Sequence, residues 1–564
     1  MQKKRLGKYF VILLVVGILI FLTEHLFFRL DLTSDKRFSV SEQTKQLMRK
    51  IEQPLEVDFY LDGDLNPGFL RLKRAAAELL EEMSVYSNQP ITIHYINPSL
   101  ADNSEQRTKN YDLLASRGLT PTAVYERDNE GKSIQKIIFP WLEIHQQNKT
   151  VAVSLLQNVM GNSGDENLNI SIENLEFQIT DGIRRVLNNK IRKIAFIEGQ
   201  GELSEAQTYD ISRSLSRYFQ IDRGKLGLNA AILNEYKAII IAKPTRPFSE
   251  TDKFIIDQYI MHGGRVLWLI DGVRLAEQNF STAGISPAID LDVNLNDQLF
   301  RYGVRINPVL LQDIQCASVP VNIAPAGETP QFEPTPWYYS PLLLTSPENP
   351  VTRNVSEVKA DYCSAIDLVG DNQDVKATLL LATSNNTHVV GTPTTIDLSV
   401  NPKPTDKTYF NTGYLPVAVA LEGNFDSDFE NRMIPKGLTN TMPVIPKSII
   451  TRQIVVADGD VIRNDTTSAE TDSTRLPLGY DRYTGQLYGN KQFIENSILY
   501  LTDEDGWMQL RSRSLKMRLL NKQITNEQRL NWQIINTAIP LVIFIIFGIT
   551  YQILRKKKYR KITD

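Results

Sequence analysis

The stretch YKAIIIAKPTRPFSETDKFIIDQYIMHGGRVLWLIDGV, residues 236–273, decides the fold. Its first run, YKAIIIAKP (236–244), and its last, RVLWLIDGV (265–273), are nearly all apolar and read as buried strands. Between them SETDKFIIDQYIMHGG (249–264) carries a serine cap, an acidic first turn and a closing glycine pair, the signals of a helix with defined ends. A strand without polar alternation is buried on both faces. Such strands alternating with helices make a parallel sheet covered on both sides. Upstream, RKIAFIEGQGE (192–202) is another strand running into a glycine-rich turn and AQTYDISRSLSRYF (206–219) is a helix, which extends the pattern to a doubly wound α/β unit.

In sheets of this kind ligands gather at the carboxyl ends of the strands. That rule selects Glu198, Gly199, Gln200, Gly201 and Glu202 after one strand and Asp271 after another as a candidate cradle for a polar ligand or partner. The two glycines equally serve ordinary turn geometry. The third glycine of a dinucleotide fingerprint is missing, and no GK[ST] marks a P-loop. A later β-rich run, IITRQIVVA (449–457), leads into Asp458-Gly459-Asp460; paired acids after a strand can bind a cation, but no EF-hand spacing surrounds these, and the expectation is a turn before a solvated loop.

Ahead of the doubly wound unit lies a smaller one. After a polar linker, Ser41 is a plausible cap for an amphipathic turn; then LEVDFYLDG (55–63), PGFLRLKRAAAELLEEMSVYS (67–87), ITIHYINP (91–98) and TKNYDLLASRG (108–118) alternate strand and helix, and residues 119–153 hold three short β-rich runs. This βαβαββ order is that of a thioredoxin-like domain, assigned to residues 31–170. Thr120-Pro121-Thr122 resembles the proline turn at which thioredoxins often carry a cis peptide. The loop Asp62-Gly63-Asp64-Leu65-Asn66-Pro67 lacks the low-pKa thiol of a redox enzyme, so the expectation is a binding or assembly module. An amphipathic helix at about 171–188 separates it from the second unit, assigned to 171–463, which includes a Pro-rich arm at 313–350 expected to pack as an extended segment. Residues 464–490 read as a mobile loop and 491–531 as a juxtamembrane helical segment.

Both ends of the chain are apolar. Residues 9–30 follow a basic stretch (1–8) without a small-residue cleavage triplet, and residues 532–554 precede the basic stretch 555–564. Each is long enough to cross a hydrocarbon core, which takes roughly 20 residues. Because Lys and Arg stay on the cytoplasmic side, the expectation is two spans in the inner membrane, both termini cytoplasmic, and a large periplasmic region between them.

The formal net charge of −3 gives no general argument for nucleic-acid binding. Five histidines without ligand spacing argue against a structural zinc site, so no metal and no cofactor is expected. Cys316 and Cys363 are the only cysteines, and whether they pair is open. Neither Ile314-Gln315-Cys316-Ala317-Ser318 nor Asp361-Tyr362-Cys363-Ser364-Ala365 has the glycines of a nucleophile elbow, and no catalytic residues are assigned.

The motifs DLTSDKRFSVSEQT after the first span, FIEGQGELSE, LWLIDGV, VVADGDVIRND and KQFIENSILYLTDEDGWMQLRSRSLKMRLLNKQ before the last span resemble the GldG family, gliding-motility-associated ABC-transporter auxiliary proteins of Bacteroidetes. The resemblance covers nearly the whole chain. It implies a complex with a GldF-like membrane permease and a GldA-like cytoplasmic ATPase, and a middle domain similar to the glutamine-amidotransferase-like fold, here without the elbow cysteine. Within such a complex the segment 507–531 mixes apolar residues with Arg511, Arg513, Lys516, Arg518 and Lys522, a candidate contact for lipid phosphates or a permease. The reading is a non-enzymatic, membrane-anchored subunit that leaves ATP hydrolysis and translocation to its partners. The alternatives are a periplasmic hydrolase acting on the envelope and a structural tether with no transport role.

Overall fold

The computed structural model describes residues 39–560 except 128–132, 160, 189–191, 277–278, 281–283, 323, 325–328, 330, 371–373, 399–405, 441–442, 466–474 and 513–527. The chain divides into two compact units, Met1–Ser514 and Leu515–Asp564. The expected first span, residues 9–30, lies outside the described residues.

The first unit opens with helix Glu42–Arg49, capped by Ser41, whose Oγ accepts the Thr44 N–H at 3.2 Å. A four-stranded sheet follows in the order Ile91–Tyr95, Leu55–Phe59, Trp141–Gln146, Lys149–Ser154. Its first pair is parallel and the other two pairs are antiparallel. The segment 119–153, read as three β-rich runs, forms four strands, because Thr122–Arg127 and Ser133–Ile138 pair as a separate hairpin. The only cis peptide among the described residues precedes Pro393, so Pro121 follows a trans bond.

The helix read as a separator is two helices, Gly164–Glu173 and Leu175–Leu187, meeting at Asn174. The second lays Leu175, Ile179, Ile183 and Val186 onto the small sheet, in one core with Val57, Phe59, Leu142 and Ile144. That spacing is one apolar stripe of a helix, and it has to be buried against the nearest sheet. The boundary drawn at residue 170 falls just ahead of this helix, which also sends Phe177 into the core of the large sheet.

The stretch 236–273 sits at the centre of a ten-stranded sheet. Five strands run parallel, in the spatial order Phe219–Gly224, Arg192–Ile197, Tyr236–Ala242, Val266–Leu269, Thr451–Val456. Successive side chains point to opposite faces. Ile194, Phe196, Ile240, Leu267 and Val456 enter one core, closed by helices Tyr209–Leu215 and Asn490–Leu501. Ala195, Ile197, Ile239, Ile241, Trp268 and Val455 enter the other, closed by helices Glu250–Met261 and Asn296–Tyr302. Each large apolar side chain so buried contributes about 1.5–3 kcal/mol, which explains why no polar alternation survives in these strands. Beyond Thr451–Val456 the sheet turns antiparallel through Pro416–Gly423, Val375–Ala382, Phe332–Thr345 and Cys316–Asn322. The Pro-rich arm is thus largely strand, at the margin of the sheet where missing N–H donors are tolerated.

Two expectations near the carboxyl end are corrected. Of the segment 464–490, residues 475–490 pack against the domain, with Leu478 and Tyr488 buried, while 466–474 lie outside the described residues. Of the segment 491–531, read as juxtamembrane and helical, residues 513–527 lie outside the described residues. Asn490–Leu501 is a core helix that buries Phe493, Ile494 and Ile498, and Trp507–Ser512 is a short 3-10 turn.

The second unit holds the helix Arg529–Arg560, with Pro540 inside it. Over Arg529–Lys557 it is long and apolar enough to cross a membrane, the one such helix among the described residues.

Candidate functional site

Strand register assembles the site. Ala242 lies opposite Leu269, and Leu269 opposite Val456, so three neighbouring strands end level with one another. The residues that follow are Lys243, then Ile270-Asp271, then Ala457-Asp458-Gly459-Asp460. Carboxylate oxygens of Asp271, Asp458 and Asp460 come within 4.8 Å of one another, near enough to share one cation. That charge is supplied by the chain itself. The Lys243 ammonium lies 3.3 Å from Asp271 Oδ2 and donates a short hydrogen bond to Asp460 Oδ2. Arg463 Nη1 adds a second cation 2.9 Å from Asp460 Oδ1.

Backbone groups fix the acids. The Gly459 N–H donates to Asp271 Oδ1 at 2.6 Å, the Asp460 N–H to Asp458 Oδ1 at 2.6 Å, and the Asp361 N–H to Asp458 Oδ2 at 2.8 Å. Glycine at 459 is required by the approach of the lysine: a Cβ there would lie 2.5 Å from Lys243 Cβ. Lys243 itself sits in the left-handed region, at φ 55°, which turns its side chain back over the strand ends.

The environment separates the acids. Burial raises the Asp458 carboxyl well above the usual carboxylate range, and the neighbouring Asp460, Asp271 and Asp361 push it the same way. Burial also disfavours charge on Asp460, but Lys243 and Arg463 outweigh it and hold that carboxyl below its usual range. Burial raises Asp271, with Lys243 working against the shift. For Lys243, burial opposes the charge, yet Asp460 and Asp271 more than offset it and the ammonium pKa is raised. Asp458 is 0% exposed and Asp460 7%, so this is an internal ion network beneath the rim of the sheet.

The predicted cradle Glu198–Glu202 stands beside this network and is tied down. The N–H groups of Thr245 and Arg246 both donate to the Gln200 carbonyl at 2.9 Å, and Arg246 Nη2 donates to the Gly199 carbonyl at 3.0 Å. Gly199 and Gly201 adopt φ 132° and 80°, the turn role that glycine fills most easily. Glu198 Oε1 pairs with Arg223 Nε at 2.8 Å, and Glu202 Oε2 accepts the Gln200 N–H at 2.7 Å. Asp271 is part of the ion network. The loop and the network together brace the carboxyl ends of the strands and present a fixed rim.

Sequence reasoning missed Lys243, and it read Asp458 and Asp460 as a turn. The only readable signal was that each stands directly after a buried strand of the same sheet.

Among the proposed membrane-contact residues, Arg511 points inward. It is 4% exposed; Nη1 donates to Asn496 Oδ1 at 2.9 Å and Nη2 to the Arg353 carbonyl at 3.1 Å. Burial lowers its guanidinium pKa to about 10. Buried and bonded in this way, it cannot serve as the lipid or permease contact. Arg513, Lys516, Arg518 and Lys522 lie outside the described residues.

A second titratable group, Asp58, Glu143 and His145, lies on the first sheet. Its members are already engaged: His145 Nε2 is 3.2 Å from Asp58 Oδ2, and Glu143 Oε2 accepts the Tyr60 hydroxyl at 2.7 Å. Both cysteines are free, Cys363 buried and Cys316 half-buried.

Residues 192–497 match the model of a family described as ABC-type uncharacterized transport system. Residues 34–145 match one described as Domain of unknown function (DUF7088). An uncharacterized protein of Borreliella burgdorferi is 21% identical over 550 residues, covering 94% of each chain. A solved structure described as the mmIFT52 N-terminal domain aligns with 56% of this chain and 98% of its own, at 14% identity and a TM-score of 0.31.

Proposed function

Since the matched segment 192–497 makes up more than half of it, the chain belongs to the ABC-type uncharacterized transport system family, and on that premise we propose a non-catalytic auxiliary subunit, anchored in the inner membrane and working in the periplasm. A transport system of this type implies a membrane permease and an ATPase as partners. The finer reading is a GldG-like protein acting with GldF-like and GldA-like partners in gliding motility. It rests on the sequence motifs that run from the first apolar stretch to the last. Two spans, at 9–30 and 532–554, fit that reading, and the apolar helix Arg529–Arg560 supports the second.

The two α/β modules act here as binding surfaces. The strand order of the first sheet, with a parallel pair at one edge and an antiparallel hairpin at the other, supports a thioredoxin-like module without redox chemistry. The five parallel strands of the second, with helices on both faces, support a doubly wound, amidotransferase-like module whose rim at Glu198–Glu202 meets a partner or ligand.

The family match over 192–497 carries the proposal. Its test is gentle detergent extraction of the tagged full-length chain and identification of what remains bound. Recovery of a permease and an ATPase is expected. Recovery of the intact chain without either would overturn it.

A further inference from the structure

A cavity of about 580 Å³ opens at the amino-terminal edge of the parallel sheet, where helix Leu175–Leu187 passes the starts of strands Arg192–Ile197 and Phe219–Gly224. That volume lies inside the range of small-molecule sites, about 300–1,000 Å³. Its wall carries Lys50, Arg184, Arg185, Arg192 and Arg217, against two carboxylates, Asp181 and Asp505.

The carboxylates are both engaged. Arg185 Nε lies 3.0 Å from Asp181 Oδ2, and Arg184 Nη1 lies 3.4 Å from Asp505 Oδ2. Arg192 donates to the Thr502 carbonyl at 3.4 Å, and its charge also acts on the Glu504 carboxylate. Lys50 and Arg217 face one partly enclosed space without a carboxylate partner among the described residues, and Arg192 stands on the same wall. Burial lowers the Arg184 pKa although Asp505 and Asp503 pull it up, and the like charge of Arg192 adds to the lowering. Tyr218 and Trp507 supply aromatic wall beside the cations.

We propose that this cavity binds a phosphate ester, its phosphate gripped by Arg192, Arg217 and Lys50. Arginine forks match phosphate oxygens in pairs, and a dianionic phosphate concentrates its charge in one group, which suits three cations on one wall. The site is independent of the rim at Glu198–Glu202, which lies at the opposite ends of the strands. The phosphate can belong to a soluble ester or to a lipid headgroup.

The test uses the full-length chain in detergent with pyrophosphate as the soluble probe, and the chain with phosphatidic acid vesicles, against phosphatidylcholine vesicles, as the lipid arm. A saturable rise in the unfolding midpoint with pyrophosphate, or selective capture by phosphatidic acid, supports the site if Arg192→Gln with Arg217→Gln weakens it about tenfold or more. Whichever arm responds identifies the source of the phosphate. Lys50→Glu, on an exposed side chain, should weaken the same binding without unfolding the chain. Arg71→Gln, at a half-exposed arginine 4.0 Å from Asp165 and outside the cavity wall, should leave it unchanged. Absence of binding in both arms, equal binding by the double variant, or equal protection by citrate would overturn the proposal.

Discussion

The Trp507 indole stacks on the Phe177 ring, with centroids 4.8 Å apart and planes 8° from parallel. Arg184 lies over the Trp507 ring at 4.6 Å and Arg511 over the Phe177 ring at 5.0 Å. The pair joins the last described turn of the first unit to helix Leu175–Leu187, so the carboxyl end of the domain is fastened to the helix of the small sheet. Trp507→Ala should lower stability by about 3–5 kcal/mol, the cost of emptying a buried aromatic site. Trp507→Phe should keep most of it. Denaturant unfolding of the detergent-solubilised chain measures both.

Lys243 is the main counter-charge of a buried acidic group, and removing it leaves Asp460 and Asp271 without that partner. Lys243→Met should destabilise by about 3–5 kcal/mol, because an uncompensated buried charge costs more than the pair contributes. Joining Lys243→Met with Asp460→Asn should recover part of the loss. An additive double variant in the same unfolding assay would refute the coupling.

The acids of the network respond to pH in opposite directions. The folded Asp460 carboxyl lies below its usual range, so its contribution is present at neutral pH and fades as acid takes the medium below about 3.9, the unfolded value. Asp458 lies well above its usual range, so its contribution is full below that value and is lost as pH rises toward its folded pKa. Unfolding free energy followed from pH 3 to pH 8 should show the acid-side loss reduced in Asp460→Asn and the decline on raising pH reduced in Asp458→Asn. Identical slopes in wild type and both variants would contradict the assignment.

Gly459→Ala forces a methyl group to within 2.5 Å of Lys243 Cβ. The expected cost is about 1–3 kcal/mol, as for other overpacked sites, with the Lys243–Asp271 contact weakened. Gly437, where a Cβ meets nothing within 4 Å but φ is 89°, separates backbone strain from collision when changed to Ala in parallel.

Cys363 is fully buried and its thiol is held well above its usual pKa by burial and by nearby Asp458; burial pushes the Cys316 thiol up to about 12. An alkylating reagent at neutral pH should label Cys363 only after denaturation, and Cys316 slowly in the native chain. A mass shift of the non-reduced protein matching a disulfide would contradict this.

The central strands were legible because complete burial strips a strand of polar residues, and Tyr236–Ala242 and Val266–Leu269 carry that mark. The capped helix Glu250–Met261 was legible because Ser249 and Asp252 form a capping box. The ion network was not, because its members are brought level by register between strands far apart in sequence, and Asp458 beside a glycine looks like any turn. Arg511 misled for a related reason. In a sequence it is one cation in a basic run, and only the tertiary position of Asn496 and the Arg353 carbonyl draws it inward.

The strand Thr451–Val456 pairs with Val266–Leu269, and residues 270–450 are made between them. During synthesis the apolar edge of Val266–Leu269 must therefore wait, unpaired, while those intervening residues emerge. Contacts spanning such lengths of chain form slowly and leave strand edges open to wrong partners. The second module is thus built to finish late, and its maturation, rather than its final stability, is where a chaperone would have the most to protect.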